Sequence, residues 1–251
     1  IVENGAVVGI WIETPQGLVE VRARKGVILA SGGFEWNKEL VRAFLRGPMT
    51  EPVGIQTNTG DALKMSMRIG AGLSNMREAW WIPVGLVPEE ANSTGRVLVN
   101  GQRTLPHSIM VNKRGRRFTN EAANYNAIGP VLHNFDANTH DYTNLPFWIV
   151  VDQTYVDKYR FFNTTQAGVA PPWAVSADTV EELGNKLGLD GSVLAQTVAK
   201  FNADVANGRD TEFGRIGLYI DQAKGVGAMV ELEKRFTPRV RAVRFAPDEL
   251  R

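Results

Sequence analysis

The first two dozen residues carry apolar and polar positions in a strand-like pattern. Ala6-Val7-Val8-Gly9-Ile10-Trp11-Ile12-Glu13 and Leu18-Val19-Glu20-Val21-Arg22-Ala23 are rich in β-branched residues, and Thr14-Pro15-Gln16-Gly17 supplies turn chemistry between them. Residues 5–24 therefore read as a β-hairpin. A short unbroken apolar run follows, Gly26-Val27-Ile28-Leu29-Ala30, and it ends in Ser31-Gly32-Gly33-Phe34. Such a run predicts a buried strand whose carboxyl end opens into a tight loop. The period then changes to that of a helix. Asn37 is a capping residue, Leu40, Val41, Phe44 and Leu45 form an apolar face, and Gly47-Pro48 ends the segment. A second helix follows Thr57-Asn58-Thr59-Gly60-Asp61, with Leu63, Met67 and Ile69 among its apolar positions and Gly70-Ala71-Gly72 at its stop.

Residues 85–103 show no period and read as a long loop. Ser108–Asn112 reads as a strand and Lys113-Arg114-Gly115-Arg116 as a tight basic turn. Phe147–Asp152 is a second apolar run and reads as a buried strand. Two helices come after Asp178: residues 179–187, with Asp178 as cap, and residues 192–207. The latter places Val193, Leu194, Thr197, Val198, Phe201 and Val205 on one face, with Gly208 as its stop.

Composition narrows the function classes. The chain of 251 residues has 28 Lys+Arg against 27 Asp+Glu, so nothing in its charge points to nucleic acid or an anionic membrane. There is no cysteine, which removes disulfides, thiolate metal sites and a Cys nucleophile, and fits a reducing, cytoplasmic compartment. His107, His133 and His140 show no metal-ligand spacing, so no metal site is expected. No stretch is long and apolar enough for an integral membrane segment. The chain opens Ile1-Val2-Glu3 directly into strand-like sequence, which reads as a segment of a longer protein.

Several residues carry candidate chemistry. Ser31-Gly32-Gly33 at a strand end would bring backbone N–H groups close to a nucleotide cofactor, because a backbone without Cβ atoms permits close approach. A plain β-turn would explain the same residues. Thr59-Gly60-Asp61 sits just ahead of a helix, whose positive end attracts oxygen-rich groups; alternatively, Thr59 or Asp61 merely caps that helix. Arg114 and Arg116 fit a solvated turn. Arg117 and Glu121 flank Phe118 and suit a buried ion pair, with Glu121 a structural partner ahead of an acid or base. Trp80-Trp81-Ile82 is an apolar stretch that suits an apolar ligand, or simply core packing.

Taken together, Ala30-Ser31-Gly32-Gly33-Phe34, Thr59-Gly60-Asp61 and Val111-Asn112-Lys113-Arg114-Gly115-Arg116-Arg117-Phe118-Thr119-Asn120-Glu121 occur in an order and spacing that resembles flavoproteins of the fumarate reductase and 3-ketosteroid dehydrogenase family. The resemblance covers roughly residues 1–222. It implies an α/β fold: part of a Rossmann-like FAD-binding domain over 1–84, an α+β cap (substrate) domain over 85–222, and a divergent tail over 223–251. It implies FAD as cofactor, contacted by Ala30, Ser31, Gly32, Gly33, Phe34, Thr59, Gly60 and Asp61. Trp81, Ile82, Asn120 and Glu121 are then the substrate-binding candidates.

The layout Asn120-Glu121-Ala122-Ala123-Asn124-Tyr125, then Gly129, resembles the ketosteroid dehydrogenase branch, in which that tyrosine is a catalytic base. An ordinary phenol ionises near pH ~10, so a tyrosine in this role needs cationic or hydrogen-bonding neighbours. A core tyrosine with its hydroxyl satisfied by backbone is the plainer reading. The resemblance implies an FAD-dependent oxidoreductase that introduces or removes a C=C bond next to a carbonyl. Its partners would be an apolar ketone-bearing small molecule such as a steroid, and an electron acceptor. The fumarate reductases carry His-Pro where this chain has Ile82-Pro83, and a dicarboxylate needs cationic clamps. A reductase of another unsaturated acid or enone, and an inactive ligand-binding remnant, stay as alternatives. The Gly-x-Gly-x-x-Gly fingerprint is absent from this sequence, and the resemblance places it ahead of Ile1.

Overall fold

A computed structural model describes residues 1–215 and the backbone of 240–245. The described chain forms two compact units. The first is Ile1–Leu45 with Gly54–Met76; the second is Arg46–Val53 with the described residues from Arg77 onward.

The first unit is built from local pairings. Strands β1 (Val2–Glu3) and β2 (Ala6–Val7) pair around Asn4 and Gly5, both with positive φ. Asn-Gly is the sequence that tolerates such a turn. Strands β3 (Gly9–Thr14) and β4 (Gly17–Arg22) form the expected hairpin, closed by Thr14 pairing with Gly17. Gly9 is required there, because a Cβ would stand 2.4 Å from the carbonyl oxygen of Val21. Helix α1 (Lys38–Phe44) is capped by Asn37, whose side chain accepts from the Leu40 N–H. Helix α2 is Asp61–Arg68.

The apolar run after the hairpin departs from expectation. Residues 26–33 form no strand, and Ile28 is 93% exposed. A strand exists by pairing with a neighbour, and none lies beside this run among the described residues. Every strand pair among the described residues is antiparallel.

The second unit is organised by a four-stranded sheet. In chain order its elements are β5 (Val84–Leu86), β6 (Arg96–Leu98), β7 (Ser108–Asn112), α3 (Tyr125–Leu132), β8 (Phe135–Asp136), β9 (Asp141–Tyr142), β10 (Phe147–Asp152), α4 (Gln153–Lys158), β11 (Val175–Ala177), α5 (Val180–Lys186), α6 (Gly191–Ala206) and β12 (Val240–Phe245). The sheet order is β11-β12-β10-β7. Side chains of β7 and β10 alternate between two cores. Met110, Phe147, Ile149 and Val151 meet Ile128 of α3 and Tyr155 and Val156 of α4. Ile109, Val111, Trp148 and Val150 meet Leu183 of α5 and Leu194, Val198, Phe201 and Val205 of α6. Because both faces are covered, β10 is apolar at nearly every position rather than alternating.

Three further expectations change. Residues 85–103 are not one long loop: β5 and β6 pair as a hairpin across Val84–Leu98, with a 3-10 turn at Gln102–Thr104. Thr179, not Asp178, caps α5 by accepting from the Glu182 N–H. The segment read as a divergent tail supplies β12, which pairs with β10 from Phe147↔Phe245 to Asp152↔Val240.

Candidate functional site

Each unit holds one group of candidate residues. In the first, the two motif segments are adjacent. The Gly60 N–H donates to the Gly33 carbonyl at 3.0 Å, the Trp36 N–H to the Asn58 carbonyl at 3.2 Å, and the Asn37 side-chain amide to the Thr59 carbonyl at 3.1 Å. Two glycines make this approach possible. Gly32 has φ +82°, and a Cβ there would meet Asn58 Oδ1 at 2.2 Å. Gly60 has φ +81°, and a Cβ would meet Leu40 Cδ1 at 2.5 Å and the Phe34 Cβ at 2.9 Å. Neither Thr59 nor Asp61 caps α2. Gly60 stands at the cap position with no side-chain hydrogen bond, and the Thr59 hydroxyl instead donates to Asp61 Oδ1 at 3.2 Å. The N–H groups of the first turn of α2 are therefore left for another acceptor. Ala30, Ser31, Gly32 and Gly33 are exposed and Phe34 is half-buried. The N–H groups of Ser31, Gly32 and Gly33 meet no acceptor among the described residues.

In the second unit, the candidates converge on the start of α3. Asn124 caps this helix, its side chain accepting from the Asn126 N–H at 2.8 Å, and Tyr125 is the first helical residue. The segment carrying Trp80 and Trp81 docks on it at three points. The Trp81 backbone N–H donates to Asn126 Oδ1 at 2.8 Å. The Trp81 ring lies edge-on to His133, with centroids 4.6 Å apart. The Trp81 side chain also occupies the space above Gly129, where a Cβ would fall 2.5 Å from the Trp81 Cβ. The glycine four residues after the tyrosine is thus a packing requirement. Trp81 is core, at 7% exposed, whereas Trp80 is 81% exposed and donates its indole N–H to the Tyr125 hydroxyl oxygen at 2.5 Å. Ile82 is half-buried and, with Trp81, Pro48, Met49, Gly129 and Phe147, lines a cavity of about 100 Å³. That is smaller than the roughly 300–1,000 Å³ of a typical small-molecule pocket.

The residues just before Tyr125 are held by a buried charge network. Glu121 is fully buried; Arg117 donates to it through Nε at 2.9 Å and Nη2 at 2.7 Å, and the Met110 N–H donates to Oε1 at 3.1 Å. The expected Arg117–Glu121 pair is therefore formed. Glu121, placed among the substrate-binding candidates by sequence, has its carboxylate enclosed and committed to these donors. Arg117 also grips Asp210 at 3.0 and 2.8 Å and lies over the rings of Phe201 and Phe213. Burial works against the charge on each member, yet Arg117 holds the carboxyls of both Glu121 and Asp210 below their ordinary range, and they in turn raise Arg117. Arg103 is also buried; it donates to the carbonyls of Glu121 and Ala123, and burial lowers its pKa to about 10, partly offset by Glu121. Asn120 closes the turn, accepting from the Ala122 N–H at 2.9 Å and donating to the Gly214 carbonyl at 3.3 Å.

Arg103, Asp210 and Arg215 escaped the sequence reading. Arg215 donates to the carbonyls of Ser108 at 2.6 Å and Leu105 at 2.9 Å. None of the three sits in a local pattern; their partners come from distant chain segments. No helix among the described residues is long and apolar enough to cross a membrane.

Residues 1–249 match the FAD binding domain family. The 4-oxocyclohexanecarboxylate 2-dehydrogenase of Sinomonas cyclohexanicum is 33% identical, over 85% of this chain and 37% of its own length. The 3-oxosteroid 1-dehydrogenase of Mycobacterium tuberculosis (strain ATCC 25618 / H37Rv) is 36% identical, over 85% of this chain and 40% of its own. The crystal structure of 3-ketosteroid delta1-dehydrogenase from Sterolibacterium denitrificans, in complex with 1,4-androstadiene-3,17-dione, aligns with TM-score 0.81 and 27% identity, over 96% of this chain and 44% of that one. The chain spans about two fifths of the length of these curated relatives. The match extends to residue 249, beyond residue 222 where the sequence resemblance stops. The cofactor of this family is FAD. The open N–H groups of Ser31–Gly33 and the uncapped start of α2 suit the oxygens of a dinucleotide.

Proposed function

The chain belongs to the FAD-binding domain family, and from that premise we propose that it carries the base and part of the cofactor site of a dehydrogenase acting on ring ketones, with a 3-ketosteroid as substrate. The supporting observation is Tyr125: a half-buried phenol at the first turn of α3, its oxygen held by an indole N–H and its preceding residues fixed by Arg103 and Glu121. The backbone of Ser31–Gly33 and the start of α2 bind cofactor oxygens, and the close packing of Gly60 on Phe34 keeps the two segments together. FAD held there would supply the two-electron acceptor for a hydride from the β carbon. Tyr125 removes the proton from the carbon next to the carbonyl, and that C–H electron pair becomes the new C=C bond. An external electron acceptor would be needed to complete the turnover. Glu121 and Arg117 do not touch substrate; they fix the loop from which Tyr125 projects.

The substrate class rests on the apolar Trp81 and Ile82, which provide no cation for a dicarboxylate. A ring ketone offers one hydrogen-bonding oxygen and an otherwise apolar body, which suits such a wall. Tyr125→Phe in the flavin-loaded protein, assayed with a 3-ketosteroid, tests the reading. We expect kcat to fall by about a hundredfold or more, the usual worth of a general base, with flavin absorbance retained. Activity that survives Tyr125→Phe overturns the assignment of the base. Turnover of 4-oxocyclohexanecarboxylate but not of the steroid would keep the chemistry and replace the substrate.

A further inference from the structure

Trp80 is a large apolar side chain left 81% exposed beside a neighbour that is almost fully buried. Exposure of this kind contributes little to holding the fold, so the specific contact it makes among the described residues needs a reason. That contact is with Tyr125. The indole Nε1–H donates to the phenol oxygen at 2.5 Å, and the two rings lie nearly parallel, 25° apart with centroids separated by 6.4 Å. The placement follows from residue 81. Its backbone N–H is fixed on Asn126, the residue after Tyr125, and its ring on Gly129, one turn along the helix, and on His133 at the helix end. With Trp81 anchored there, Trp80 comes to lie over the first turn of α3.

We propose that Trp80 is a positioning residue for Tyr125: its indole N–H and ring face fix the tyrosine side chain so that a remaining lone pair on its oxygen is directed away from the indole, toward the substrate proton it takes. This rests on the reading of Tyr125 as the base. The chemistry of the donor suits the role. An indole N–H only donates and does not ionise in this range, so it holds the oxygen before and after proton transfer without competing for the proton. A hydrogen bond to a charged oxygen is worth more than one to a neutral oxygen, so the indole holds the tyrosine oxygen most firmly in the form that takes the proton. The stacked ring removes rotational freedom from a side chain that must meet one carbon of the substrate.

Two measurements test this in the flavin-loaded protein. The first is kinetic. Trp80→Phe keeps an aromatic face and removes only the donor; kcat for the 3-ketosteroid should fall about tenfold, with KM within about twofold and thermal stability unchanged. A purely structural or substrate-stacking role would move stability or KM instead. The second needs no turnover. In protein labelled with 15N-tryptophan, the indole N–H resonance that disappears in Trp80→Phe should shift in Tyr125→Phe. An unmoved resonance, or an unchanged kcat in Trp80→Phe, overturns the inference. If Tyr125→Phe stays active, the base reading falls and Trp80 has nothing to position, whatever the resonance does. If Tyr125→Phe is inactive and Trp80→Phe is not impaired, only the role of Trp80 falls.

Discussion

Two apolar runs of similar length, residues 26–31 and Phe147–Asp152, have different fates. The second is β10, paired on both edges by β7 and β12 and buried on both faces, with Ile149, Val150 and Val151 wholly inaccessible. The first has no strand beside it among the described residues, and Ile28 stands 93% exposed. Their sequences differ less than their surroundings do. Apolar, β-branched composition states what a segment gains if covered; the partners that cover it are set by the rest of the chain.

The contrast can be broken from either side. Val150→Asp places a carboxylate among Leu183, Leu194 and Phe201, and we expect a loss of about 5 kcal/mol, read as loss of the cooperative urea transition of the second unit. Arg117→Met removes the guanidinium shared by two buried carboxylates, leaving Glu121 only the more distant Arg215 at 3.6 Å, and should cost about 3 kcal/mol or more. It should also change the response to acid. Arg117 holds Glu121 and Asp210 below their ordinary values of 4.5 and 3.8, so their contribution is complete above about pH 4.5 and is lost as pH falls through the folded values. Without the guanidinium, burial favours the protonated carboxyl, so Arg117→Met should lose less stability between pH 5 and pH 3 than the parent; an equal acid loss would place the pH dependence elsewhere. Gly129→Ala puts a methyl against Trp81 and should destabilise by about 1–3 kcal/mol, opposite in sign to the usual gain from replacing a helical glycine with alanine. Ile28→Asp should change stability by less than about 0.5 kcal/mol; a loss comparable to Val150→Asp would mean that the run is covered after all.

These differences also mark what sequence could convey. The β3–β4 hairpin, α1 with its Asn37 cap, α6 with its Gly208 stop and the buried strands β7 and β10 all carry local signals, and the structure contains them. The β5–β6 hairpin was hidden because strands of three residues are too short to show a period. Helix α3 was hidden by Gly129 and Pro130, two breaker residues. The first is explained by Trp81, a contact between segments that no local window contains. At the candidate site, the pairing of Arg117 with Glu121 was legible because the two opposite charges lie four residues apart and flank the apolar Phe118. Asp210 meets Arg117 from 93 residues away, and Arg103 acts on backbone carbonyls, which leave no trace in side-chain pattern.

The position of β12 sets a timetable for the nascent chain. Strand β10 lies between β7, which precedes it, and β12, which is made long after it, and β11 pairs with β12. At roughly 5–20 residues per second, a ribosome leaves the Phe147–Asp152 edge bare for on the order of ten seconds after it emerges. Through that interval the most apolar strand of the second unit is an open template for other chains. Holdase chaperones acting during translation would therefore be expected to engage this segment, and to release it when residue 245 leaves the exit tunnel.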